Sequence, residues 1–209
     1  MSILYQFFMS MLINIIHPYV FKLKGDTLHG GPIEEFRERD EKISKLVSNA
    51  LNKGVKVLHH RAQHPESLHG FLQDTTFESD PLFKFLFDDR ISHVVTLDYG
   101  VPLPDVKPRD IKDKEWRSLS EFYTSHSELK SKVEKSNPCL FIGGVLENCL
   151  ANASKYFREN FFDDETAIYY VPNVCVSLDK DLLDKVEPKL RKANIFPLNY
   201  DDALSLISN

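Results

Sequence analysis

Apolar and polar positions along this chain follow two periods, about 3.6 and 2, which trade places repeatedly. "MLINII" (residues 11–16) is a short apolar run that predicts a buried strand. "EEFRERDEKISKLVSNALNKG" then sets Phe36, Ile43, Val47 and Ala50 on one face of a helix, with Gly54 as its stop signal. "VKVLHH" reads as a strand, "PLFKFLFDDR" as a helical turn or two, and "HVVTLDYG" as a strand closed by glycine. The proline- and charge-rich "VPLPDVKPRDIKDKEW" is a loop. "SLSEFYTSHSELKSKVEKS" spaces Phe122, His126, Leu129 and Val133 at helical intervals.

The second half continues the alternation. "CLFI" (139–142) is a continuous apolar strand, the pattern of a strand covered on both faces. "LANASKYFRENF" returns to helix with Leu150, Ala153, Phe157 and Phe161 on one side, and "AIYYV" is another strand. "SLDKDLLDKVEPKLRKAN" predicts a helix capped by Ser177, with Lys189, Arg191 and Lys192 at its dipole-favoured end and a kink or break at Pro188. "IFPL" reads as a last edge strand and "DDALSLI" as a short terminal helix. Strands alternating with helices predict an α/β fold, a three-layer sandwich on a mostly parallel central sheet. With 209 residues, the chain is read as a single domain over 1–209.

Composition narrows the class of partner. A net charge of -5 gives no basic face for phosphates, so no nucleic-acid partner is expected. The first 21 residues carry no Lys, Arg, Asp or Glu. They also lack a basic n-region, and Gln6, Asn14, His17 and Pro18 interrupt them, so no membrane partner is expected and residues 1–10 are read as an apolar arm. Cys139, Cys149 and Cys175 form no CxxC and three thiols do not all pair, which points to a reducing compartment, the cytoplasm.

In a parallel sheet, chemistry gathers beyond the carboxyl ends of the strands. The residues there are His17, His60 with Arg61, Asp98, the turn from Gly143 to Cys149, and Asn173. Cys149 opens a helix after two glycines. Helix N-termini stabilise a thiolate and lower its pKa, and their amides form an oxyanion site. A buried, inert packing cysteine is the competing reading.

The segment "IGGVLENCLANA" resembles the nucleophile turn of the isochorismatase-like cysteine hydrolases, with Gly143, Glu147, Cys149, Leu150 and Ala153 in register and Leu146 in place of the usual threonine. "GVKVLHHRAQHP", "SLSEFYTSHSELKSKVEKSNPCLFIGG" and "AIYYVPNVCVSLDKDLLDKVEPKLRKAN" are similar to further family segments in the expected order. The resemblance implies a Rossmann-type three-layer fold and hydrolysis of a small amide or related C–N bond by Cys149. Gly144, Val145 and Cys149 would supply the oxyanion backbone, with an unusual peptide geometry near Gly144–Val145.

The departures are in the other triad members. His17 stands where the family has its aspartate, and Trp116 where it has its lysine, with Lys114 and Arg117 the nearest cations. Cys149, His17 and Lys114 are therefore the candidate catalytic residues, His17 as a substitute base. The alternative is a catalytically inactive member that binds or assembles with a partner. The metal-binding Asp-x-His-Pro of nicotinamidases is represented by His64 and Pro65, with His69 beyond, but Ala62 replaces the aspartate. His64 and His69 alone make a poor site, so no metal and no cofactor are expected. A small-molecule substrate is the expected partner, and a homo-oligomer is left open.

Overall fold

The computed structural model describes residues 11–18, 22–23, 26–27, 33–62, 84–96, 100–102, 122–123, 126–177 and 179–208. Seven strands form one sheet: β1 (Leu12–Ile16), β4 (Lys56–Ala62), β5 (Ile91–Thr96), β6 (Phe122–Tyr123), β7 (Cys139–Ile142), β8 (Ile168–Tyr170) and β9 (Ile195–Pro197). Their order is β6-β5-β4-β1-β7-β8-β9, and every neighbouring pair is parallel. β2 (Lys22–Leu23) and β3 (Asp26–Thr27) make a separate antiparallel pair.

Helices cover both faces, because the central strands β1 and β7 bury both sets of their alternating side chains. Ile13, Ile15, Val57, Leu140 and Ile142 face α1 (Ile33–Asn52) and α5 (Tyr200–Ser208), whose Ile43, Leu46, Val47, Ala203 and Ile207 complete that core. Leu12, Ile16, Leu58 and Phe141 face the other way. They meet Leu129 and Val133 of α2 (His126–Val133), Ala153 and Phe157 of α3 (Ala151–Asn160), and Leu190 of α4 (Lys180–Lys192). The expected three layers are present. Each fully buried Leu, Ile or Phe contributes roughly 1.5–3 kcal/mol of transfer energy, so two such clusters supply the driving force.

Three local expectations are corrected. Phe122 lies in β6 rather than in a helix, and α2 begins only at His126. Pro188 sits inside α4 without ending it. The residue Pro188 would otherwise pair with, Asp184, is exposed, so water can take up its carbonyl. The cap of α4 is Asp179 rather than Ser177, its carboxylate accepting the Leu182 N–H at 3.0 Å.

The chain runs outward from β1 through β4 and β5 to β6, then returns to the other side of β1 as β7 and runs outward again through β8 and β9. The direction of winding reverses between β1 and β7. Ligands of open parallel sheets bind at such a switch point, beyond the carboxyl ends of its two strands. Among the described residues no helix is long and apolar enough to cross a membrane. The expected arm at residues 1–10 lies outside the described residues.

Candidate active site

The two strand ends at the switch point carry His17 and the turn leading to Cys149. Residues 12–15 of β1 pair with 139–142 of β7, so both chains leave the sheet side by side. After β7, Gly143 and Gly144 take φ of 76° and 65°, conformations that L side chains rarely adopt. The unusual peptide geometry expected at Gly144–Val145 is not found: the backbone there is marked by two left-handed glycines, and the cis peptide among the described residues is Asn137–Pro138. At Gly144 the need for glycine is also steric: a Cβ there would stand 2.8 Å from the Cys149 sulfur.

Cys149 lies in a π-helical turn, Leu146–Leu150, that feeds directly into α3. Such wide turns recur at functional sites. The Val145 N–H donates to Cys149 Sγ at 3.1 Å, and the amides of Asn148 and Leu150 both donate to the Val145 carbonyl at 3.1 Å. One described contact was not foreseen. Gly100 (φ +89°) packs so closely on the Cys149 backbone that a Cβ would lie 2.1 Å from the Cys149 carbonyl oxygen.

The electrostatics correct the expectation of a lowered thiol pKa. Burial raises the Cys149 thiol to about 11. The N–H groups of Val145, Leu150 and Cys149 act in the opposite, anticipated direction but are outweighed, and the Glu147 charge adds to the rise. At rest the sulfur is a neutral thiol. Cys139 and Cys175 are raised further, again chiefly by burial.

His17 is buried at the end of β1 with φ of 37°. Its N–H donates to the His60 carbonyl at 3.3 Å, and its Nε2 shares a hydrogen bond of 2.8 Å with Thr96 Oγ1. Thr96 ends β5, so this bond spans β4 and runs away from β7. Burial lowers the imidazole to about 3, so it too is neutral at pH 7, with a lone pair but far from its ordinary 6.5. Lys114, Arg117 and Trp116 lie outside the described residues, as do Asp98, His64 and His69.

His59 and His60, expected to satisfy themselves by hydrogen bonds, each make a ring contact within the sheet, while His60 Nδ1 is buried without a hydrogen-bond partner. His59 Nδ1 meets His93 Nδ1 at 3.2 Å, and His60 Nε2 pairs with Asn14 Oδ1 at 3.0 Å. Asn14 in turn donates to Cys139 Sγ at 3.1 Å. Among the described residues no three His, Cys, Asp or Glu side chains converge on a metal position, and alanine at 62 offers no donor.

Two groups have roles that the sequence reading did not assign. Glu147 is buried, and its Oε1 accepts the Asp179 N–H at 2.8 Å, tying the turn around Cys149 to the cap of α4. Arg39 and Asp40 are buried on α1, and Arg39 Nη2 donates to the Pro18 carbonyl at 3.2 Å. The signal was present: positions 39 and 40 fall on the same helical stripe as Phe36, Ile43 and Val47.

No protein-family model and no curated protein matches this chain. Solved structures do match it. A MAR1 ribonuclease from Caenorhabditis elegans superposes with a TM-score of 0.58 at 8% identity, over 94% of this chain and 80% of that one. The zinc complex of the Pyrococcus horikoshii pyrazinamidase gives 0.55 at 11% identity, over 91% and 99%. A candidate isochorismatase hydrolase from Oleispira antarctica gives 0.55 at 11% identity, over 96% and 97%. The architecture of this chain, an all-parallel sheet with helices on both faces, is the α/β fold of the isochorismatase-like hydrolases in a divergent sequence.

Proposed function

We propose that this chain is a hydrolase of small amides or related C–N bonds, with Cys149 as its nucleophile. The observation that carries the reading is the Val145 N–H directed at the Cys149 sulfur from a switch-point turn built on two left-handed glycines. When the sulfur moves onto a substrate carbonyl, that amide is released to donate to the developing oxyanion, with Gly144 and Cys149 contributing the adjoining backbone.

The thiol is neutral at rest, so its proton must leave as the C–S bond forms. The neutral imidazole of His17 is the base in this reading, reached by giving up the bond to Thr96. The leaving amine takes that proton from the imidazolium as the C–N bond breaks. Water then releases the acid from the acyl-cysteine, with His17 again as base. Lys114 is the proposed cation that favours thiolate. The similarity to a pyrazinamidase supports the amide class.

The test is ammonia release from a panel of small primary carboxamides, with mass spectrometry of acid-quenched protein. Turnover with a transient acyl mass on the Cys149 peptide, both abolished in Cys149→Ala, is the expected result. Turnover that survives in Cys149→Ala would overturn the assignment. A chain inert to every amide, and with Cys149 as unreactive as Cys139, would belong to a binding or assembly protein on the same fold.

A further inference from the structure

His17 holds a left-handed backbone conformation, φ 37°, that the chain would not select by itself immediately before a proline. Such a residue persists only where its surroundings over-determine it. Three restraints come from the sheet: the His60 carbonyl on its N–H, the Thr96 hydroxyl on its ring, and Gly143, whose missing Cβ would stand 2.7 Å from the Ile16 carbonyl oxygen.

The fourth restraint comes from α1. Arg39 Nη2 holds the carbonyl of Pro18, the residue after His17, at 3.2 Å. The same guanidinium is fixed by Asp40, whose Oδ1 accepts from Nε at 2.8 Å and from Nη2 at 2.5 Å. Both side chains are almost inaccessible, 7% and 6% exposed. A buried ion pair is weak evidence for added stability, because desolvation offsets most of its attraction. A rigid guanidinium fork that is fixed by one partner while it grips another suits a positioning role, and lysine lacks that fork.

We propose that the Arg39–Asp40 pair is a positioning device that fixes the exit of β1 and thereby holds the His17 ring inside the sheet end. The pair holds the ring in its resting place on Thr96, from which the reading of His17 as base for Cys149 requires its release, and the test does not depend on that reading. The charged and titratable groups within reach are Asp40 on α1, His60 on β4, and Cys175, which feels the Arg39 charge.

The experiment follows the His17 ring nitrogens by NMR on protein with labelled histidine, between pH 5.5 and 8. In the wild type they are expected not to titrate. In Arg39→Met the released ring is expected to titrate within that window, a rise in proton affinity of at least about a hundredfold. Arg39→Lys is expected to restore the wild-type behaviour only in part. If Arg39→Met does not fold, Arg39→Gln serves in its place, since it keeps an N–H donor but neither the charge nor the fork. A folded variant with a lower unfolding midpoint and unchanged His17 shifts would overturn the proposal, leaving the pair merely structural. Because Cys149 is not read at all, failure of the hydrolase reading would leave this result standing.

Discussion

The Val145 amide donates to the Cys149 sulfur over 3.1 Å, so the thiol at rest occupies the donor that an oxyanion would need. Together with burial, which raises the thiol to about 11, this describes a neutral resting thiol that, in the proposed reading, is stored rather than primed. At pH 8 about one thiol in a thousand is then ionised. Alkylation by iodoacetamide at that pH should be slow at Cys149 but faster than at Cys139, which is fully buried and raised further. Peptide mapping after brief labelling reads the order. Equal or inverted labelling would mark Cys149 as a packing residue.

Glu147 sets part of that thiol affinity. Its charge raises the Cys149 pKa, while its Oε1 binds the Asp179 amide. Glu147→Gln keeps an acceptor for that amide and removes the charge. Alkylation of Cys149 at pH 8 should therefore rise severalfold with little change in thermal midpoint. A fall in rate would show that the carboxylate acts by position instead.

Gly144→Ala should damage the site in two ways at once. The substitution forces an alanine to a φ of 65° and sets its methyl 2.8 Å from the sulfur. Strain of this kind costs about 1–3 kcal/mol. The expected result is a destabilised but folded protein whose Cys149 labels more slowly, since the sulfur is pushed off the Val145 amide that favours its thiolate. Urea titration and alkylation on one sample check both parts.

The architecture was open to sequence reasoning wherever local pattern and tertiary environment agree. "CLFI" is apolar throughout because both faces of β7 are covered, and the glycines after it mark the turn to Cys149. The candidate site was less legible. Phe122 fits a helical spacing with Leu129 and Val133, yet pairing with β5 at His93 draws it into β6. His17 was visible as a polar residue ending a strand, but its partner Thr96 stands two strands away, a relation no local window contains. The Cys149 pKa moved opposite to the helix-terminus argument because desolvation is a property of the assembled core.

Acid stability should report the buried histidine. The His17 imidazole is lowered from 6.5 to about 3 by burial, so the unfolded chain binds the proton more tightly. The stabilisation is fully present above pH 6.5 and is lost as the pH falls from about 6.5 toward about 3. His60, lowered by burial and by the His17 charge, adds to the same limb. The urea midpoint should fall across this range, and His17→Asn should flatten the fall. A midpoint equally steep in the variant would remove His17 from the account.

The most direct test of the central claim, that His17 takes the proton of Cys149, is the pH dependence of Cys149 alkylation in the wild type and in His17→Ala. An imidazole that accepts the thiol proton during attack sustains reaction below pH 8, where free ionisation of a thiol near 11 does not. The account predicts a wild-type rate that stays measurable down to neutrality, and a His17→Ala profile displaced upward and rising only as the pH approaches 11. Two superimposable profiles would contradict it.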